Sequence, residues 1–267
     1  MSNFRSEHAY WEFAKTVRTE RRFIFDGKAG DFLAAVRAAS KSRARRVKSG
    51  SCLYRVQIGS EHDPDPRETG IFEHPLPKTR LIPDPKSIKN GGRANPSGLA
   101  YLYLANTKET ALAEMRPWLG ESLTLAIFKI QKGVKLVVCR AGSENSGGSL
   151  FEENTSTEQI DRCVWNDISR AFSRAVTRED QESAYLPTQI LAEAFKAEGF
   201  DGVAYRSGLE RGTNIVLFDV GVAKLIHRVV YALKKVRYDF EAVLPYALYN
   251  KKDGGLQQVG EIHTESP

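Results

Sequence analysis

Apolar residues recur at helical spacing near the start of the chain. The pattern predicts a helix over residues 7–20 whose inward face carries Tyr10, Phe13, Ala14 and Val17. The sequence DGKAG interrupts it, and Asp31 then predicts the cap of a second helix. Lys48-Ser49-Gly50 ends this region, so we expect a helical N-terminal extension over residues 1–50.

An alternating strand pattern follows in SCLYRVQIG, residues 51–59. Cys52, Tyr54, Val56 and Ile58 share the more apolar face, which places Arg55 on the other face. Residues 59–98 then contain seven of the 11 prolines. Because proline removes a backbone donor and resists regular ladders, this stretch predicts a long ordered loop.

The second half mixes short strands with amphipathic helices. Strands are predicted in YLYLA (101–105), SLTLAIFKI (122–130), VKLVV (134–138), DGVAY and TNIVLFD, and residues 223–232 fit either a strand or a helix. Helices are predicted in KETALAEMR, over residues 157–176 and in PTQILAEAFKAEG, where a proline lies near the helix start. The order lacks a regular strand–helix alternation, which favours the α+β class.

Composition and charge narrow the class of protein. The chain has 267 residues, 41% of them hydrophobic, and no apolar run approaches the ~18 residues of a membrane span. The N-terminus has no secretory pattern, and three widely spaced cysteines fit a reducing cytoplasm better than a disulfide framework. We therefore expect a cytoplasmic protein without a membrane partner.

The positive charge is concentrated at the N-terminus. The net charge is +6, and residues 1–50 alone hold 12 Lys and Arg against 5 Asp and Glu. The stretch RAASKSRARRVK (37–48) is typical of a solvated helix face, and the alternative is a surface for nucleic acid or another acidic partner. The sequence leaves both interpretations open.

Several common catalytic patterns are missing from the sequence. The five histidines show no metal-ligand spacing, and neither a dinucleotide fingerprint nor a P-loop occurs. We therefore expect no metal. The remaining candidates for chemistry are, in chain order, Arg55, Arg93, Tyr103, Glu114 and Ser207.

This set resembles the RES domain family, named for its arginine, glutamate and serine. The matching stretches are LYR (53–55), GGRANPSG…LYLA…ALAE (91–114) and PTQILAEAF…GFDGVAYRS…TNIVLF (187–218). The resemblance implies a compact ADP-ribosyltransferase-like fold with a split β-sheet core and flanking helices. It also implies a RES-like catalytic domain over residues 51–230 and a C-terminal extension and tail over residues 231–267. One departure is Ala94, where the family usually has an aromatic residue.

The resemblance further implies an enzyme that degrades NAD and serves as the toxin of a toxin–antitoxin pair with an Xre-like antitoxin. We expect Arg93, Glu114 and Ser207 to be catalytic, and Arg55, Arg93, Tyr103 and Asn214 to bind NAD. Physical chemistry agrees, because guanidinium groups suit a pyrophosphate, and a carboxylate stabilises the cation that develops on a ribose.

Other functions stay open at this stage. The nucleophile could be water or inorganic phosphate, which distinguishes an NAD glycohydrolase from an NAD phosphorylase. The alternatives are an ADP-ribosyltransferase that acts on a macromolecule, and a binding protein without catalysis that uses the basic N-terminal segment. A homo-oligomer is compatible with each of them.

Overall fold

The fold is described by a computed structural model covering residues 4–64, 71–139, 156–174, 181–236, 247–252 and 255–261. The chain divides into two compact units, residues 1–233 and 234–267. Residues 1–50 thus belong to the same unit as the sheet described below. The boundaries predicted at residues 50 and 230 stay predictions.

The described helices and strands follow the chain in a mixed order. The helices are α1 (Ala9–Thr19), α2 (Gly27–Ser40), α3 (Lys78–Leu81), α4 (Lys108–Glu114), α5 (Thr157–Ser173) and α6 (Gln181–Ala197). The strands of the first unit are β1 (Ala44–Val47), β2 (Cys52–Ile58), β3 (Glu61–Pro64), β4 (Ile71–His74), β5 (Leu102–Ala105), β6 (Ser122–Ile130), β7 (Val134–Cys139), β8 (Gly202–Arg206), β9 (Thr213–Leu217) and β10 (Ala223–Ala232). The predicted α+β class is confirmed.

Eight of these strands form one sheet in the order β1-β7-β8-β9-β5-β2-β6-β10. Only β7 and β8 pair in parallel among its neighbours. The strands β2 and β5 meet in a single residue pair, Tyr54 with Ala105, although each pairs at length with its other neighbour. The sheet is therefore split between β2 and β5, and we call this gap the split.

Two apolar clusters cover the two faces of the sheet. On one face, α1, α2, α5 and α6 pack against β7, β8 and β9 around Trp165, Phe172 and Phe195. On the other face, Leu81 of α3 packs with residues such as Leu102 and Phe128. Near the split a third cluster joins α4 to β2 and β6. Two of these clusters contain residues of both β2 and β5, so apolar packing holds the two strands together across the split.

The basic stretch at residues 37–48 does not form one helix face. The helix α2 ends at Ser40, a 3-10 turn covers Lys41–Arg43, and β1 then pairs with β7 at the sheet edge. Backbone pairing with the sheet edge overrides the helical pattern here, because a strand beside β7 satisfies its donors and acceptors.

Several basic side chains of this stretch already have partners within the fold. Arg37 donates a hydrogen bond to the Glu198 carboxylate at 2.6 Å, and the Lys41 amine lies 3.6 Å from the same carboxylate. The Arg43 guanidinium lies 4.2 Å above the Trp165 ring. These contacts join α2 and the following turn to the end of α6 and to α5. Part of the basic stretch therefore stabilises the fold.

Four further local predictions are wrong. Asp31, predicted to cap the second helix, lies inside α2, which begins at Gly27 directly after Asp26. The proline-rich stretch contains an antiparallel ladder, β3 with β4, and Pro64 lies at a strand end where a missing donor is tolerated. The helix α6 begins before its proline, so Pro187 lies inside it. In β2 the buried residues are Leu53 and Val56, on opposite faces, because apolar clusters cover both sides of that strand.

The C-terminal part of the described chain consists of strands. Residues 223–232, ambiguous in the sequence, form β10 along the whole of β6. In the second unit, β11 (Ala247–Lys252) and β12 (Gly255–Glu261) pair as an antiparallel hairpin. No described helix is both long and apolar enough to cross a membrane.

We expect Phe128→Ala to destabilise the fold strongly. Phe128 is completely buried in the cluster opposite the helices, and its truncation should lower the free energy of unfolding by about 3–5 kcal/mol. Phe23→Ala is the matched control, because that ring is 91% exposed. Urea unfolding followed by circular dichroism measures both. Equal effects of the two changes would contradict the assignment of this core.

Candidate active site

A cavity of about 350 Å³ opens at the split and collects most of the predicted site residues. Strands β2 and β5, helix α4 and the loop at residues 91–93 all contribute to its wall. We call it the site cavity; its polar lining includes Arg55, Arg93, Tyr103, Glu114 and Asn214, together with Tyr185 and Tyr205. Ser207 does not line this cavity and reaches it only through Glu114.

Glu114 is fixed at the end of α4 by two donors from distant parts of the chain. The helix starts at Thr107, whose hydroxyl caps it by accepting from the Thr110 amide. The Ser207 hydroxyl donates to Glu114 Oε1 at 2.7 Å, and Asn214 Nδ2 donates to the same oxygen at 2.6 Å. Among the described residues no donor bonds Oε2, so the second oxygen stays available to a ligand.

The direction of the Ser207 hydroxyl proton follows from its surroundings. Ser207 Oγ accepts hydrogen bonds from the backbone amides of Leu209 and Glu210 in the turn after β8. With its lone pairs used in this way, the hydroxyl proton points to Glu114. Ser207 therefore orients the carboxylate and is not itself exposed as a nucleophile.

Arg55 is a buried cation without a carboxylate partner in the described part of the chain. Its guanidinium crosses the split and donates to the carbonyl oxygen of Tyr103 at 3.2 Å, while its Nε is buried and has no hydrogen-bond partner. Burial lowers the pKa of Arg55 to about 10, so the group stays cationic at neutral pH. A buried charge of this kind is expected to attract an anion into the cavity.

Arg93 is held by phenol groups instead of by carboxylates. It donates hydrogen bonds to Tyr185 and Tyr205. Burial acts to lower the pKa of Arg93, but the neighbouring Tyr205 phenol and these hydrogen bonds outweigh it and raise the pKa. Burial also raises the pKa of Tyr205 to about 12, so its phenol stays neutral and leaves the positive charge of Arg93 uncompensated.

Tyr103 fastens the Arg93 loop to β5. Its hydroxyl donates to Asn95 Oδ1 at 2.6 Å and accepts from the Ala94 amide at 3.0 Å. The loop comes so close that a Cβ on Gly92 would lie 2.5 Å from the Tyr103 hydroxyl oxygen. Any side chain at position 92 would therefore displace Tyr103 or Asn95, and the Tyr103 ring forms part of the cavity wall.

Helix α6 holds the same loop from the other side. The Thr188 hydroxyl donates to the carbonyl oxygen of Arg93 at 2.6 Å. The Gln189 amide donates to the carbonyl oxygens of Gly92 at 2.8 Å and Asn95 at 3.1 Å. These bonds satisfy the loop backbone and fix Arg93 relative to the sheet.

The departure from the family pattern at Ala94 does not open the cavity. Ala94 is completely buried in the cluster on the helix face and does not line the site cavity. Aromatic walls come from other positions, namely Tyr54, Tyr103, Tyr185 and Tyr205. A flat ligand group could therefore still stack on an aromatic ring of the cavity wall.

Two site residues, Tyr185 and Tyr205, were missed in the sequence. The sequence did contain a signal for Tyr205, because residues two positions apart in a strand share a face, and Ser207 lies two positions after Tyr205. In the structure Tyr205 also lies opposite Asn214 on β9. The sequence contained no such signal for Tyr185, because the predicted helix began at Pro187, whereas α6 begins at Gln181 and includes Tyr185. In the described part of the chain, no group of three or more His, Cys, Asp or Glu is placed to hold a metal.

Comparison with known proteins assigns the family. The model of the RES domain matches residues 72–241, which is more than half of the chain, and the chain therefore belongs to the RES domain family. RES domain toxins act on NAD. No curated protein matches the sequence.

Among solved structures, the chain is similar to a chain in the crystal structure of the M. tuberculosis MbcT–MbcA toxin–antitoxin complex. The TM-score is 0.39 and the sequence identity is 13%, and the match covers 74% of this chain and 92% of that chain.

We expect Arg55→Met to stabilise the protein while weakening its binding of anions. Because the folded-state pKa is depressed, the buried charge opposes folding at every pH below about 10. Its replacement by an apolar side chain should raise the free energy of unfolding by on the order of 1 kcal/mol. Pyrophosphate should raise the melting temperature of the wild type but not of the variant.

The exposed Arg45→Met is the control for Arg55→Met, and it should keep both the stability and the pyrophosphate effect of the wild type. Thermal melts with and without pyrophosphate measure both properties. A destabilised Arg55→Met protein that still responds to pyrophosphate would show that Arg55 is an ordinary structural residue.

We expect Gly92→Ala to damage the site more than the fold. The added methyl group would lie 2.5 Å from the Tyr103 hydroxyl oxygen and 2.7 Å from Asn95 Oδ1, so the loop or the Tyr103 ring must move. Gly133→Ala is the control, because its nearest neighbour, Val47 O, is 3.6 Å away. The stabilisation by pyrophosphate should fall in Gly92→Ala alone, and equal melting curves for both variants would contradict the tight loop packing.

Proposed function

We propose that this protein cleaves the bond between nicotinamide and ribose in NAD. The observation that carries the proposal is the Glu114 carboxylate, whose one oxygen is fixed by Ser207 and Asn214 and whose other oxygen accepts no hydrogen bond from a described residue. It lines the same cavity as Arg55 and Arg93, yet it forms no ion pair with a described arginine. The negative charge of Glu114 and the positive charges of the two arginines are thus not paired with each other, and each can interact with a bound ligand.

The two arginines suit the pyrophosphate of NAD. Each guanidinium is buried enough to lose much of its hydration, and neither has a carboxylate partner among the described residues. Bidentate, charge-assisted hydrogen bonds to phosphate oxygens compensate such groups well. The ring of Tyr103 then offers a face for the cationic nicotinamide ring.

The reaction needs stabilisation of a cation more than proton transfer. As the bond between ribose C1′ and the ring nitrogen breaks, its electron pair leaves with nicotinamide, which departs as a neutral molecule. The ribose develops oxocarbenium character, which a nearby carboxylate stabilises together with hydrogen bonds to the ribose hydroxyl groups. Glu114 Oε2 is the oxygen available for this role, and Asn214 and Ser207 keep the carboxylate in place.

The second step adds a nucleophile to C1′ of the ribose. Water gives ADP-ribose and releases one proton, whereas inorganic phosphate gives ADP-ribose carrying a phosphate on that carbon. Both products follow from the same site, so the proposal includes an NAD glycohydrolase and an NAD phosphorylase. In a cell, depletion of NAD would make the protein a toxin, with an Xre-like antitoxin as its natural partner.

We expect Glu114→Gln to lose nicotinamide release by ~10²-fold or more, because the amide removes the negative charge that stabilises the ribosyl cation. Glu109→Gln is the matched control: it lies on the same helix, is exposed and should keep wild-type activity. Purified protein is incubated with NAD, with and without phosphate, and nicotinamide is measured by chromatography.

The products distinguish the remaining alternatives. NAD labelled in its adenosine half should give free ADP-ribose or its phosphate ester, whereas label on protein or nucleic acid would indicate ADP-ribosyl transfer. Absence of nicotinamide release from the wild type, with Glu114→Gln behaving in the same way, would overturn the proposal.

A further inference from the structure

A second cavity of about 510 Å³ adjoins the site cavity. The two cavities share Arg55, Gly91, Gly92 and Tyr103 as a common wall at the split. Both volumes lie within the ~300–1,000 Å³ typical of small-molecule sites. A ligand whose middle is held by Arg55 can therefore extend one half into each cavity.

The second cavity is cationic and has no acidic lining residue. Its wall combines Arg55 and Arg80 with hydroxyl and amide groups of Thr79, Asn90 and Asn95, and no aspartate or glutamate of the described residues takes part. Arg55, which lines this wall, also has a buried Nε without a hydrogen-bond partner among the described residues. Both observations favour an anionic, hydrogen-bonding ligand over an apolar one.

Arg80 lies on a short helix that a buried neighbouring residue fixes to the core. It belongs to the short helix α3, whose next residue, Leu81, is completely buried in the cluster on this face of the sheet. The Arg80 side chain is exposed and forms no ion pair with a described residue. Its guanidinium is thus available at the mouth of the second cavity.

These features bear on which dinucleotide the site accepts. In the doubly wound dinucleotide-binding fold, an acidic side chain bonds the free 2′-hydroxyl group of NAD, whereas an arginine accommodates the 2′-phosphate of NADP. The fold here is different, but the chemistry of the two groups is the same. We propose that the second cavity binds the adenosine half of the substrate and that Arg80 determines specificity by binding a 2′-phosphate there. This inference rests on the proposed function, because it takes Glu114 to mark the nicotinamide half.

The test uses two fragments that contain no nicotinamide and cannot be cleaved. Calorimetry should show adenosine 2′,5′-bisphosphate binding to the full-length protein about tenfold or more tightly than adenosine 5′-monophosphate, as expected for one charge-assisted hydrogen-bonding contact. Arg80→Ala should reduce this ratio to near one. Lys78→Ala removes a charge from the same helix outside the cavity wall and should leave the ratio unchanged.

Two results would overturn the inference about Arg80. One is equal binding of the two fragments by the wild type. The other is an Arg80→Ala protein that loses affinity for both fragments equally, which would mean that Arg80 binds the phosphate they share. The same variants are compared for nicotinamide release from NADP and NAD, where Arg80→Ala should lower the KM preference for NADP without changing kcat on NAD.

The two proposals fail in different ways. If the wild type prefers the 2′-phosphate fragment but releases no nicotinamide from either dinucleotide, the cleavage proposal is wrong and the binding site stands. If nicotinamide is released while the fragments bind equally, the cleavage proposal stands and Arg80 has no role in specificity.

Discussion

The hydrogen bonds from Ser207 and Asn214 to one oxygen of Glu114 are the interaction on which the rest of the site depends. They join the end of α4 to the turn after β8 and to β9, so a carboxylate on a short helix becomes rigid relative to the sheet. Both donors use the same oxygen, so the other oxygen of this cavity-lining carboxylate accepts no hydrogen bond from the described residues. An immobile group with one vacant acceptor is well suited to act at a fixed point of a bound ligand.

The split in the sheet gives this carboxylate its surroundings. Where β2 and β5 separate beyond the pair of Tyr54 with Ala105, side chains occupy the space that ladder hydrogen bonds would otherwise fill. Arg55 bridges the gap by its bond to the Tyr103 carbonyl oxygen. A regular eight-stranded sheet would have no room here, so the cavity exists because the pairing is interrupted.

Burying two guanidinium groups that have no carboxylate partner among the described residues costs stability, and several hydrogen bonds hold the surrounding structure in place. Tyr103, Thr188 and Gln189 all bond the loop that carries Arg93. The N-terminal segment contributes from a distance, because α1 and α2 pack into the same apolar cluster as α6. The basic residues of that segment in part serve this packing, as the contact of Arg43 with Trp165 shows.

The sequence by itself determined the α+β class, the two N-terminal helices, the short helix α4 with its cap, and the family to which the residues point. These features depend on local periodicity, on capping and on motifs read within one stretch of chain. It also indicated Arg55, Arg93, Tyr103, Glu114, Ser207 and Asn214 as a set, through the spacing of the family motifs.

Only the tertiary structure decided how these residues meet. Glu114 and Asn214 are separated by 100 positions in the chain, and no local pattern specifies that their side chains bond. The same holds for the phenols around Arg93, for the two buried faces of β2 and for the proline inside α6. Each depends on which element packs against which, and that choice follows from burying apolar surface across the whole chain and satisfying its backbone polar groups.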